Sequence, residues 1–178
     1  RAGMTIHFIS NIDGEAVDSV LSQIDAERTV FLIASKTFTT LETMQNARSI
    51  RDWLVAKHGG DENCTKRHCI ALTANVEEAY RFGVEEDNIL GFHEGVGGRY
   101  SLWSSIGLSI ALMIGMDGFE DMLSGGREMD VHFQTEKLES NAPVLLALIG
   151  ILNRNIMGYP CLAVLPYDQR LSRFPAWL

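Results

Sequence analysis

Cysteine is scarce in this sequence: Cys64, Cys69 and Cys161 are all there is. Few and odd in number, they fit free thiols in a reducing cytosol better than a disulfide framework, and no redox role follows from them. Positive charge is short as well. Fifteen Lys and Arg stand against twenty-three Asp and Glu, a formal charge of -8. That balance argues against broad attraction to nucleic acid or to an anionic membrane surface, so an anionic ligand would need local capture. No apolar run reaches the ~20 residues that span a bilayer. The longest, residues 106–116 and 144–152, fall short, and neither is N-terminal. A soluble, cytoplasmic protein is expected. Repeats, low-complexity tracts and linkers are missing too, and so are the familiar nucleotide loops. No GxxxxGK[ST] occurs, and Gly95, Gly97 and Gly98 in "GVGGRY" do not complete GxGxxG. A phosphorylated small molecule is therefore favoured over a nucleotide.

What is present is enough apolar material for a core. At 178 residues and 46% hydrophobic, the chain can form one globular unit around a single sizeable core. Short apolar runs bounded by turn formers at residues 6–10, 30–35, 68–73, 89–92 and 161–165 are strand candidates. Between the first four lie residues 15–24, 40–58 and 76–82, where apolar residues recur at helical steps. Met44, Ala47, Ile50 and Leu54 make the inward stripe of the second of these, with Glu42, Arg48, Arg51 and Asp52 facing water. The alternation predicts βαβ units and a parallel sheet covered by helices on both faces. After Arg99 the pattern becomes helix upon helix, at 102–114, 118–134 and 143–157, before the last strand candidate. The Met and Leu stripe of residues 108–116 reads as core.

In "FLIASKTFTT", residues 31–40, a buried strand hands over to a helix through Ser35, Lys36, Thr37, Thr39 and Thr40. The turn after a parallel strand's carboxyl end is where ligands bind in such sheets. The following helix adds free N–H groups and the positive end of its dipole. Hydroxyls and a lysine suit phosphate there. Helix capping accounts for part of the pattern, since Thr39 with Glu42 three residues on reads as a capping box. A cap needs one hydroxyl and this turn has four.

"EGVGGRYSLWSSIG", residues 94–107, sets Gly97 and Gly98 before Arg99. Paired glycines let backbone approach a ligand, and an Arg held there can meet developing negative charge. A Gly-Gly turn with a surface Arg would look the same. The histidines, His7, His58, His68, His93 and His132, are scattered, and only His93 lies near this motif. "CTKRHC", residues 64–69, lacks a second ligand pair at metal-site spacing, so no metal site is expected.

These motifs carry a resemblance. "ASKTFTTLETM" and "VGGRYSLWSSIGLSIA", with "FISNIDG" before them and "VLLALIGI" and "LPYDQRLSRFPAWL" after, resemble the glucose-6-phosphate isomerase (phosphoglucose isomerase) family in its bacterial form, over essentially the whole chain and in the right order. The resemblance implies a sugar isomerase (SIS) domain, a three-layer α/β sandwich of flavodoxin-like type around a five-stranded parallel sheet. It implies that Ser35, Lys36, Thr37 and Thr40 hold a sugar phosphate, with Thr39 left for capping. Gly98 and Arg99 would then lie beside the substrate's C1 and C2 oxygens, where Arg99 stabilises an enediolate. It implies a small-molecule sugar phosphate as the partner, no cofactor and a homodimeric parent.

Two departures stand out. Where the family commonly carries an aromatic-acidic-aromatic run, this chain reads "FHEGVGGRYS", keeping the acid as Glu94 and placing Gly95 where a large ring is usual. The family's catalytic Glu lies in an "ESNGK" motif, with a catalytic His and Lys later still, and none of these is in the 178 residues. The chain opens on a strand pattern without an initiator Met and stops with aromatics still arriving. Residues 1–178 are therefore expected to be one sugar isomerase domain cut at both ends, inactive alone. The rival reading is a non-catalytic phosphosugar-binding regulatory module, which would have no use for an enediolate-stabilising Arg. A purely structural protein would leave the surplus hydroxyls unexplained.

Overall fold

The computed structural model describes residues 3–178. The chain divides into two compact units, Arg1–Met113 and Ile114–Leu178.

The first unit is built on three parallel strands in the order β1-β2-β3: β1 (Phe31–Ala34), β2 (Cys69–Thr73) and β3 (Ile89–Gly91). Phe31 pairs with Cys69 and Ala34 with Leu72; Ala71 pairs with Ile89 and Thr73 with Gly91. β2 lies between two neighbours, and its "CIALT" is almost wholly buried, as a central parallel strand requires.

Helix α1 (Gly14–Leu21) is capped by Asp13, whose side chain accepts from the Glu15 N–H. α2 (Leu41–Lys57) follows β1 and buries Met44, Ala47 and Leu54 with Ile50 packed alongside, the stripe its spacing predicts. A short helix, α3 (Cys64–His68), leads into β2. α4 (Val76–Phe82) starts at Asn75, whose side chain accepts from the Glu78 N–H, and ends at Gly83 in the left-handed region (φ 104°). Ile33, Phe38, Met44, Ala47, Leu54, Cys64, Cys69, Ala71, Ala79 and Val84 belong to one buried cluster.

Three of the five expected strands form. The segments at 6–10 and 161–165 have no strand among the described residues. Phe8 stays 78% exposed and Leu162 89% exposed, so neither run has the paired neighbour and covering face that turn an apolar stretch into a strand. The segment after Arg99 also differs from the continuous helix its periodicity predicts. Gly98–Trp103 and Ser105–Gly107 wind as 3-10 turns, and α5 begins only at Leu108 (Leu108–Ile114). The Ser101 hydroxyl donates to the Gly98 carbonyl and the Ser104 hydroxyl to the Ser101 carbonyl, both at 2.6 Å. Such back-bonding three residues upstream favours the tighter winding.

The second unit holds α6 (Met116–Thr135), α7 (Ala142–Ile151), a π-turn over Leu152–Ile156 and α8 (Phe174–Trp177). Asn141, only 2% exposed, fixes the α6–α7 corner: its amide donates to the Phe133 carbonyl at 2.9 Å and its oxygen accepts from the Val144 N–H. Met113, Ile114 and Met116, expected in the core, are all more than half exposed. No helix among the described residues is long and apolar enough to cross a membrane.

Candidate functional site

The turn at residues 35–40 leaves the carboxyl end of β1 and enters α2. Its first residue continues the sheet, since the Ser35 N–H donates to the Leu72 carbonyl at 3.1 Å. Ser35 is buried, and its hydroxyl is 3.1 Å from that of Thr40 and accepts from the Phe38 N–H at 3.1 Å. The Thr39 hydroxyl donates to that of Thr37 at 2.8 Å. No side chain caps α2. Thr40 rather than Thr39 occupies the cap position, and it makes no side-chain cap bond. The capping box expected from Thr39 and Glu42 is thus absent, because Thr39 turns back onto Thr37 instead.

The consequence for the backbone is a surplus of donors. Among the described residues the amides of Lys36, Thr37 and Thr40, and those of Leu41, Glu42 and Thr43 in the first turn of α2, make no hydrogen bond. Lys36, Thr37 and Thr40 are exposed side chains on the same turn. A concentration of N–H groups, hydroxyls and an ammonium at a helix start suits an anion.

Three residues that were not singled out in the sequence hold this turn. Thr73, fully buried at the carboxyl end of β2, donates its hydroxyl to the Lys36 carbonyl at 3.0 Å. The Ala74 N–H donates to the same carbonyl at 3.0 Å, and the Asn75 amide donates to the Thr37 carbonyl at 3.1 Å. The turn is therefore stapled to the next loop of the sheet. The available signal was the polar "TAN" immediately after an apolar strand.

The second motif follows β3, so both loops leave the carboxyl ends of parallel strands. Ser105 ties it back by donating to the Leu90 carbonyl at 3.0 Å. Gly97 is extended, whereas Gly98 has φ 58°, a left-handed position that favours glycine. A Cβ built on Gly97 would stand 3.5 Å from Lys36 Nζ, so the side chain of the first motif lies against the backbone of the second. Arg99 is exposed two residues further on. His93 serves its own loop: its Nδ1 accepts from the Gly95 N–H at 2.9 Å, and a Cβ on Gly95 would come within 3.1 Å of that nitrogen. The unusual Gly95 thus leaves room for the folded-back imidazole.

Other chemistry-bearing groups lie elsewhere. Cys64 and Cys69 are buried, and burial pushes the Cys69 thiol up to about 12. His68 Nδ1 is held by the Thr29 carbonyl and His58 Nδ1 by that of Leu54, each at 2.8 Å. No group of three or more His, Cys, Asp or Glu among the described residues is placed to hold a metal ion. A cleft of about 600 Å³ lined by Asp18, Asp25, Trp53 and Lys57 shares no residue with either motif.

The phosphoglucose isomerase family model matches residues 1–178, the full length given. The chain belongs to the phosphoglucose isomerase family. A glucose-6-phosphate isomerase from Chlamydia trachomatis has a crystal structure similar to this chain at TM-score 0.81 and 32% identity, over 96% of this chain and 32% of that one. A hypothetical protein from Thermus thermophilus matches at TM-score 0.74 and 27% identity, over 96% of this chain and 40% of its own. The chain therefore spans between about a third and two fifths of these relatives.

Proposed function

We propose that this chain is the substrate-holding part of a glucose-6-phosphate isomerase, which interconverts glucose 6-phosphate and fructose 6-phosphate. The observation that carries the reading is the contact of Lys36 with Gly97, which puts the hydroxyl-rich turn beside the Gly-Gly-Arg loop. In this reading Ser35, Lys36, Thr37 and Thr40 grip the phosphate through side chains and the unbonded amides. Gly98 allows the sugar close to the backbone, and Arg99 faces the oxygens at C1 and C2.

The reaction opens the ring, removes a proton from C2 and returns it to C1 through a cis-enediol. It asks for a carboxylate base, an acid and base for ring opening, and a cation for the oxyanion; it needs neither a metal nor an organic cofactor. Arg99 supplies the cation. The base and the ring-opening pair belong to the family's "ESNGK" Glu and its later His and Lys, which the 178 residues do not contain. The full-length enzyme is then a cytoplasmic homodimer. Two measurements test the reading together: the full-length enzyme converts fructose 6-phosphate in a coupled assay, while the purified 178-residue chain binds phosphosugar without turning it over. Turnover by the chain alone would overturn this division of labour.

A further inference from the structure

Phe38 stands in the middle of the phosphate turn with φ 55°, and among the described residues no other non-glycine has a positive φ. A bulky side chain in the left-handed region is an outlier that persists only where its surroundings enforce it. Here the enforcement is visible. The Phe38 side chain is 2% exposed, and its ring meets that of Phe82 edge-on, centroids 5.8 Å apart at 74°. Phe82 is in turn covered by the Arg51 guanidinium, 5.7 Å from its centroid. The Phe38 N–H closes the turn by donating to the Ser35 hydroxyl at 3.1 Å and to the Ser35 carbonyl at 3.3 Å.

We propose that Phe38 is a positioning residue for the phosphate seat: its buried ring anchors the turn in a left-handed conformation, so that the hydroxyls and amides of residues 35–40 are set before the phosphate arrives. The proposal rests on the phosphate reading above. A glycine would reach the same φ without strain but would leave the turn unanchored, free to sample other conformations. The phosphate would then have to order the turn itself, at a cost in affinity. Thr73 and Asn75 hold the carbonyls of Lys36 and Thr37 from one side. Phe38 holds the turn from the core side, next to the two hydroxyls, Ser35 and Thr40, that face each other.

The test is calorimetric binding of fructose 6-phosphate to the 178-residue chain, with the melting temperature of each variant recorded beside its Kd. Phe38→Gly is expected to weaken binding about tenfold, which is about 1.4 kcal/mol. Phe38→Leu, which keeps an apolar anchor, should stay within about threefold of the parent. Phe82→Leu, which loosens the anchor without changing any residue of the turn, should fall between them and serves if Phe38→Gly does not fold. Leu21→Ala, a buried truncation in α1, should lower the melting temperature and leave Kd unchanged. If Phe38→Gly or Phe82→Leu melts earlier yet binds as tightly as the parent, Phe38 is core alone and the proposal is overturned. Failure of the phosphate reading registers separately, as Lys36→Ala and Thr40→Ala that bind like the parent, and the proposal falls with it.

Discussion

The Lys36 side chain rests against the backbone of Gly97, with Nζ 3.5 Å and Cδ 3.6 Å from where a Cβ on that glycine would sit. That is ordinary contact, and Gly97 is extended (φ -175°). Gly97→Ala should therefore change stability by no more than about 0.5 kcal/mol. Gly98 is the opposite case: open space surrounds it, but its φ is 58°. Gly98→Ala should cost about 1–2 kcal/mol through backbone strain alone. Urea unfolding of both variants checks the contrast, and equal costs would mean that the left-handed turn is not maintained.

Gly95 and His93 should behave as a coupled pair. A methyl at Gly95 would press on His93 Nδ1 at 3.1 Å, and the Gly95 N–H is the donor to that nitrogen. Gly95→Ala is expected to destabilise the parent by about 1 kcal/mol but to be close to neutral in a His93→Ala background. A double-mutant cycle in denaturant measures the coupling; additive effects would show that the ring has room to move aside.

Much of the first unit was legible in the sequence because its signals are local. The helical recurrence of apolar residues at 76–82 matches α4, which the structure caps with Asn75 and stops at the left-handed Gly83, and the stripe from Met44 to Leu54 identifies the face of α2. The outer strand candidates failed because a strand exists only with a partner. Apolar residues at 6–10 and 161–165 carry no information about who lies beside them. The site divides in the same way. The composition of "SKTFTT" raises the expectation of an anion seat, whereas the contact of Lys36 with Gly97 depends on the strand order and the left-handed Phe38 has no local signal at all. The capping role given to Thr39 failed for lack of geometry: sequence spacing cannot say that its hydroxyl turns to Thr37.

The thiols give a further check. Burial holds the Cys69 pKa near 12, and Cys64 is buried beside it, while Cys161 is exposed. At pH 8 a thiol reagent should modify Cys161 quickly and the other two only on unfolding. The same shift has a sign for stability. Above the ordinary thiol pKa the unfolded chain loses the Cys69 proton and the folded chain keeps it, so this contribution is intact below about pH 8.5 and falls as pH rises toward 12. Rapid labelling of three thiols in the folded chain would contradict the buried assignment.

Kinetics in the full-length enzyme should separate the two motifs. Arg99→Ala is expected to lower kcat by roughly 10² to 10³, about 3–4 kcal/mol, with a smaller change in KM, as for loss of an oxyanion donor. Arg99→Lys keeps the charge without the planar fork and should recover only part of that loss. Thr40→Ala should mainly raise KM, because phosphate contacts are shared by ground and transition states. A near-normal kcat for Arg99→Ala would remove that residue from the chemistry.

The most direct test of the account is an amide NMR titration of the 178-residue chain with glucose 6-phosphate and, separately, with glucose. The phosphate seat predicts saturable shifts concentrated at Lys36, Thr37, Thr40, Leu41 and Glu42, whose amides make no bond among the described residues. Glucose without its phosphate should leave them in place. Shifts centred on the cleft around Trp53 and Lys57, or a response to glucose equal to that of its phosphate, would contradict the assignment.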